Sequence, residues 1–249
     1  MKKNFFLLII SLLILQSCSI NSEIVYHKDA ASTSIMDIDV KELMNQMKAT
    51  TPDSLRKKDF GGMDKIPTDW KSIYELEKEE GKLKTDNPDS IRIMKKIFVK
   101  STKENNELTN FSIKLDHFTQ DDYKAANNFN KKDKLPIDQN VFNVWDGKTL
   151  TIDTKNFNLN NIKQAIKKPS DKDEDDLQGA SEGMMSMFLK NMQTTLKFEK
   201  KIKSISGKHD WITKVDDNTV KITYDLKSIF GENPPTLKNN DQKIIITTE

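Results

Sequence analysis

One residue constrains this chain more than any other: Cys18, the only cysteine in 249 positions. With a single thiol there is no internal disulfide, so an exported domain of this sequence must be held together by its apolar core alone. Leu, Ile, Val and Phe fill 63 of the 249 positions, about a quarter, which is above the roughly 20% floor for core formation. The position of the thiol matters as much as its number. Lys2 and Lys3 precede an apolar run of 11 residues from Phe5 to Leu15, and Leu15-Gln16-Ser17-Cys18 follows at once. Spanning a bilayer takes roughly 20 apolar residues, so this run reads as a secretory signal and not as a membrane helix.

The sequence Leu15-Gln16-Ser17-Cys18 resembles the lipobox of bacterial lipoproteins, with a branched residue three before the cysteine and a small one just before it. The resemblance implies cleavage between Ser17 and Cys18, thioether lipidation of Cys18 and acylation of the new amino group. Three acyl chains anchor a protein stably, whereas one gives marginal binding. Cys18 is then the contact with a membrane and is removed from any other chemistry. The stretch Ser19 to Glu23 lacks the acidic cluster associated with surface export in lipoproteins of Bacteroidota, which implies an outer membrane and its periplasmic face. The expected organisation is a signal at 1–17, a lipidated tether at 18–23 and one domain at 24–249 with a flexible acidic loop at 169–180. The alternative division is two subdomains, 24–168 and 181–249.

Cleavage removes Lys2 and Lys3 and leaves 38 basic against 38 acidic residues. A nucleic-acid partner requires a surplus of Lys and Arg on one face. Here the two signs alternate at short range, as in Lys131-Lys132-Asp133-Lys134, so nucleic acid is not an expected partner.

Along the chain, residues 24–26 and 34–38 read as an opening hairpin, followed by a helix capped by Asp39 with Glu42 three residues on and Leu43, Met44 and Met47 on one face. Thr68 is expected to cap a second helix lined by Trp70, Ile73 and Leu76 and closed by Gly81. Asn87-Pro88 opens a third, with Ile91, Met94 and Phe98 on a stripe. Phe111-Ser112-Ile113-Lys114-Leu115 alternates as a strand does, and Thr119 with Asp122 starts another helix. Asp146-Gly147 joins strands 141–145 and 148–153, with a type I′ turn expected there. After the acidic loop come a Met-rich helix at 181–192 and strand runs at 196–205, 211–215, 219–224 and 244–246. Regular βαβ alternation is absent. The expected fold class is therefore α+β, a largely antiparallel and curved sheet of about nine strands partly covered by short amphipathic helices.

Chemical motifs are sparse. Asp171, Asp173, Asp175 and Glu182 match positions 1, 3, 5 and 12 of a calcium-binding loop, where alternate carboxylates converge on one hard cation. Asp176 replaces the glycine of the sharp turn, Gln178 the apolar position, and Pro169 breaks the incoming helix, so a solvated acidic linker is the preferred reading. His27, His117 and His209 lie about 90 residues apart, with no HExxH, no helical His pair and no second cysteine. GxSxG, SxxK and glycine-rich phosphate loops are absent, so no catalytic residue set and no cofactor are expected. Met184, Met187 and Phe188 are candidates for lining a pocket, since methionine adapts to varied ligands, although the same spacing describes a core-facing helix face. A sugar platform would need two or more of Trp70, Trp145 and Trp211 coplanar on one face.

The mature chain is similar to lysine- and asparagine-rich lipoproteins of Bacteroidota with no assigned activity, on the residues 24–39, 91–118, and Leu196 to Ile205 leading into Asp217 to Ile222. The leading expectation is a non-enzymatic, lipid-anchored envelope protein that acts through contacts with other envelope proteins. The alternatives are an amphiphile carrier with a Met-lined pocket and a hydrolase without a linear motif.

Overall fold

In the segment from Met192 to Phe198 every second side chain is buried, namely Met192, Thr194, Leu196 and Phe198. That period of two makes this segment a strand with one wet and one dry face, and the fold is arranged around it. The computed structural model describes residues 18–42, 44–45, 65–129, 143–157, 189–225 and 236–249.

Among the described residues, twelve strands and three helices follow in order. They are β1 (Cys18–Tyr26), β2 (Ser32–Asp39), β3 (Lys71–Ser72), α1 (Ile73–Glu79), α2 (Pro88–Met94), β4 (Ile97–Glu104), β5 (Glu107–Phe118) and α3 (Gln120–Phe129). Then come β6 (Asn143–Trp145), β7 (Thr149–Asp153), β8 (Leu189–Phe198), β9 (Ile202–Ser206), β10 (Ile212–Lys214), β11 (Thr219–Asp225) and β12 (Lys243–Thr248). Eight strands form one sheet in the order β10-β11-β8-β1-β2-β5-β4-β3, and four form a second in the order β6-β7-β12-β9. Every pairing is antiparallel except β1 with β8. The class is α+β and mostly sheet; the expectation of about nine strands in one sheet is corrected to twelve in two among the described residues.

Strand register carries one dry face across the whole large sheet. Val220 lies opposite Leu196, Leu196 opposite Ile24, Ile24 opposite Ser34, Ser34 opposite Leu115, and Leu115 opposite Ile97. Residues directly opposite share a face. The second sheet covers one half of it through Leu150, Ile152, Ile244 and Ile246, which pack with Ile24, Leu196 and Val220 in the largest core. Helices α2 and α3 cover the other half, where Ile93, Tyr123 and Ala126 meet Ile97, Leu115 and Phe118.

Local chemistry explains the helix ends. Ser72 caps α1: its hydroxyl accepts from the Glu75 N–H at 3.2 Å while Glu75 accepts from the Ser72 N–H at 2.9 Å, a reciprocal capping box. The cap is thus Ser72 and not Thr68, because Trp70 precedes the short strand β3. Gly81 ends the helix with φ +66°, and the Lys82 N–H reaches the Glu77 carbonyl at 2.8 Å, a Schellman closure. Asn87 caps α2 through Asp89 and Ser90, as expected, but that helix stops at Met94 and Phe98 belongs to β4. Thr119 and Asp122 bond reciprocally at the start of α3, also as expected. Asp39 accepts from the Lys41 N–H at 3.0 Å, and residues 41, 42, 44 and 45 are helical.

Three further differences have physical causes. Residues 189–192, expected to end a Met-rich helix, form the start of β8, because that strand pairs along both edges and Met192 fills the intersheet core. The run 196–205 is broken into β8 and β9, since Glu199-Lys200-Lys201 turns the chain from one sheet to the other. The β6–β7 hairpin forms at Asp146-Gly147, but without two positive φ values: Gly147 alone has φ +92°, and the Asp146 side chain accepts from the Lys148 and Thr149 N–H groups. Residues 18–23, expected as a tether, are strand, paired with β8 from Cys18 and with β2 from Ile20.

Candidate functional site

The β1–β2 turn brings together a set of titratable groups that sequence spacing places far apart. His27 follows β1, and Glu199 follows β8, whose parallel pairing with β1 ends at Tyr26 and Phe198. The neighbours of that last pair therefore meet. His27 Nδ1 donates to Glu199 Oε1 at 2.8 Å, and its Nε2 accepts from the Thr33 hydroxyl at 2.9 Å in that tautomer. The Lys28 N–H fixes the second carboxylate oxygen at 2.9 Å. These bonds, His27 first and the Lys28 N–H second, hold the Glu199 carboxyl below the usual carboxylate range.

His117 arrives from β5 because the β2–β5 pairing slips between Ser32 and Ser34. It adopts φ +50°, a conformation uncommon outside glycine, and its N–H donates to Thr33 Oγ1 at 3.2 Å. His117 Nε2 meets Asp29 Oδ2 at 2.8 Å, and the two imidazoles stand 5.1 Å apart. The Ala31 N–H, and after it His117, holds Asp29 below its ordinary value. Two of the three histidines are thus brought together. The third, His209, is buried near Trp211, and burial pushes its pKa down.

Beneath this cluster the core turns aromatic. Tyr26 stacks on Phe198 at 5.3 Å and packs against Trp145 at 5.4 Å, while Trp145 Nε1 donates to the His27 carbonyl at 2.7 Å. Burial pushes the Tyr26 hydroxyl up. Beside it lies a cavity of about 10 Å³ lined by Tyr26, Ser32, Gln120, Tyr123, Asn143 and Trp145, the size of one water molecule. Gly147 closes the arrangement from the β6–β7 hairpin, where a Cβ would stand 2.8 Å from the Lys28 carbonyl oxygen.

Glu199, His27 and Thr33 follow the order carboxylate, imidazole, hydroxyl, the arrangement that activates hydroxyl nucleophiles. Thr33 lines neither the small cavity nor a second, larger one. That second cavity is an open groove of about 390 Å³ lined by Ile205, Ile212 and Ile244 under Lys208 and Lys214, and it lies between the edge strands β9 and β10. The relay ties β1, β2, β5 and the β8–β9 connection into one rim. Sequence reasoning missed it because Glu199 and Thr33 carry no local signal; only the parallel β1–β8 pairing juxtaposes them.

The remaining candidates fall elsewhere. Asp171, Asp173, Asp175 and Glu182, and Met184, Met187 and Phe188, lie outside the described residues. Among the described residues no group of three or more His, Cys, Asp or Glu is arranged to hold a metal. The tryptophans share no face: Trp145 is buried, Trp211 packs edge-on to Tyr224, and Trp70 lies under the ammonium groups of Lys100 and Lys114. No described helix is long and apolar enough to cross a membrane.

No protein-family model matches the chain, and no curated protein sequence does. Among solved structures it is similar to the folded domain of the LppM protein of Mycobacterium tuberculosis, determined by NMR. The identity is 10%, the match covers 94% of this chain and 92% of that one, and the TM-score is 0.38. A likeness this loose carries no argument about activity.

Proposed function

We propose that the chain is a lipoprotein of the cell envelope, anchored through Cys18 in an outer membrane with its sheet domain facing the periplasm, where it acts as a non-enzymatic binding module for other envelope proteins. The observation that carries the reading is where β1 begins. Cleavage between Ser17 and Cys18 makes Cys18 the first residue of the mature chain, and β1 starts at Cys18, so that cut leaves every strand pairing among the described residues intact. A cut even three residues later would remove Ile20, which packs against the intersheet core.

Metabolic labelling with an alkyne fatty acid tests the anchor. Wild-type protein takes up label and Cys18→Ser does not; an unlabelled wild type overturns the reading. Protease added to intact cells tests the side: the domain is cut only after the outer membrane is permeabilised, and digestion in intact cells contradicts a periplasmic placement. Crosslinking in intact cells tests the binding role, which fails if no envelope protein joins the wild type above the level of a secreted, unrelated control.

A further inference from the structure

We infer that the domain stands end-on on its membrane, with the sheet rim that contains Cys18 seated at the lipid headgroups and the His27–Glu199 rim held away from them. The inference rests on the lipid-anchor reading of Cys18 and adds an orientation and a contact surface to it.

The argument is one of chain length and strand direction. A flexible linker of n residues gives its domain a reach of roughly 5–6 Å × √n, and that slack lets a domain tumble over its anchor. Here the slack is absent, because Cys18 pairs with Leu189 and Ile20 with Ile38, which makes the anchoring residue part of an interior strand of the large sheet. A bilayer attached there meets whichever elements share that rim. β1, β5 and β8 start at it, and β2, β4 and β11 end at it, as the registers Ile20 with Ile38, Asp39 with Asn110, Thr102 with Asn110 and Asp225 with Asn191 require. The described surface of the rim includes Asp39 to Lys41 and the β4–β5 turn from Lys103 to Glu107. Lys41 Nζ bridges the two parts through Glu104 Oε2 at 2.7 Å.

Distance separates the other rim. β1 runs eight residue steps from Cys18 to Tyr26, about 26 Å at roughly 3.3 Å per residue. The β1–β2 turn, His117, Glu199 and the β10–β11 turn at Val215 all lie beyond that end. The membrane-proximal rim carries both signs of charge, in Asp39, Lys41, Lys103, Glu104 and Glu107. The orientation is therefore set by the covalent attachment and not by attraction to anionic lipid, and it persists when salt is raised.

The sole native thiol is the anchor itself, so single introduced cysteines label cleanly. Lipidated protein is reconstituted in phosphatidylethanolamine/phosphatidylglycerol vesicles carrying headgroup nitroxide, with an environment-sensitive fluorophore on Lys103→Cys or on Lys28→Cys. Quenching several-fold stronger at 103 than at 28, unchanged between 50 and 500 mM salt, is the expected result. Equal quenching at the two positions, or stronger quenching at 28, overturns the orientation. The pair Glu107→Cys and Val215→Cys repeats the comparison if either first variant loses its folded circular dichroism spectrum. Vesicle flotation separates this failure from failure of the anchor: protein that floats but shows equal quenching defeats only the orientation, and protein that does not float defeats the anchor reading.

Discussion

The two halves of the large sheet bury the same face by different means. Over β11, β8 and β1 the cover is a second sheet, and the contact is mainly aliphatic and aromatic, with Leu150, Ile152, Leu196, Val220 and Ile246 at essentially zero exposure. Over β2, β5 and β4 the cover is two short helices, and directional bonds enter the interface. The Asp122 carboxylate is 1% exposed yet salt-bridged to Arg92 and to Lys96, and Tyr123 shares a hydrogen bond with Ser32 at 2.9 Å. Sheet-on-sheet packing supplies area without needing exact positions. Helices of seven to ten residues have too little apolar face to fix themselves, so polar clamps set where they sit.

The comparison predicts an order of effects. Leu196→Ala removes three heavy atoms (Cγ, Cδ1 and Cδ2) from the centre of the intersheet core and should cost about 2–5 kcal/mol in denaturant unfolding. Asp122→Ala should cost less, about 1–3 kcal/mol, because Arg92 and Lys96 are partly exposed and regain water when the carboxylate is gone. An Asp122 effect larger than that of Leu196 would break the proposed division of labour. Gly147→Ala forces a side chain onto φ +92° and against the Lys28 carbonyl, a strain of about 1–3 kcal/mol that should also change the chemical shifts of the His27 ring.

The smallest effect is on pH dependence and sharpens the contrast between the sheet-packed half and the exposed rim. Burial depresses the folded pKa of His209 below its unfolded value near 6.5, so the unfolded chain binds more protons below that pH. The stability this contributes is present above pH 6.5 and lost as pH falls through the folded value. Glu199 and Asp29 have depressed carboxyl values, so their contribution is lost only in the acid range below the ordinary carboxylate pKa. Melting curves between pH 7 and 5 should therefore fall for wild type and flatten for His209→Gln, while Glu199→Gln leaves that window unchanged.

Local chemistry was readable from the sequence, and long-range pairing was not. The Asp146-Gly147 hairpin, the Asn87 cap, the Gly81 closure and the Thr119–Asp122 start all depend on residues within five positions of one another. The β4–β5 turn carries an equally local signal in the pair Asn105-Asn106, which both take the positive φ of a tight hairpin. Met184 to Met192 fits a helical period, and only the neighbours of β8 decide that its last residues are extended. The same non-local β1–β8 pairing brings Glu199 to His27, 172 positions away, so the rim cluster has no sequence motif to find.

Mass spectrometry of the amino-terminal peptide of protein extracted by detergent from its native membrane bears most directly on the anchor. The account predicts a peptide that begins at Cys18 and carries the mass of a diacylglyceryl thioether and an amide-linked acyl chain. A peptide beginning elsewhere, or one with a free thiol at Cys18, contradicts it.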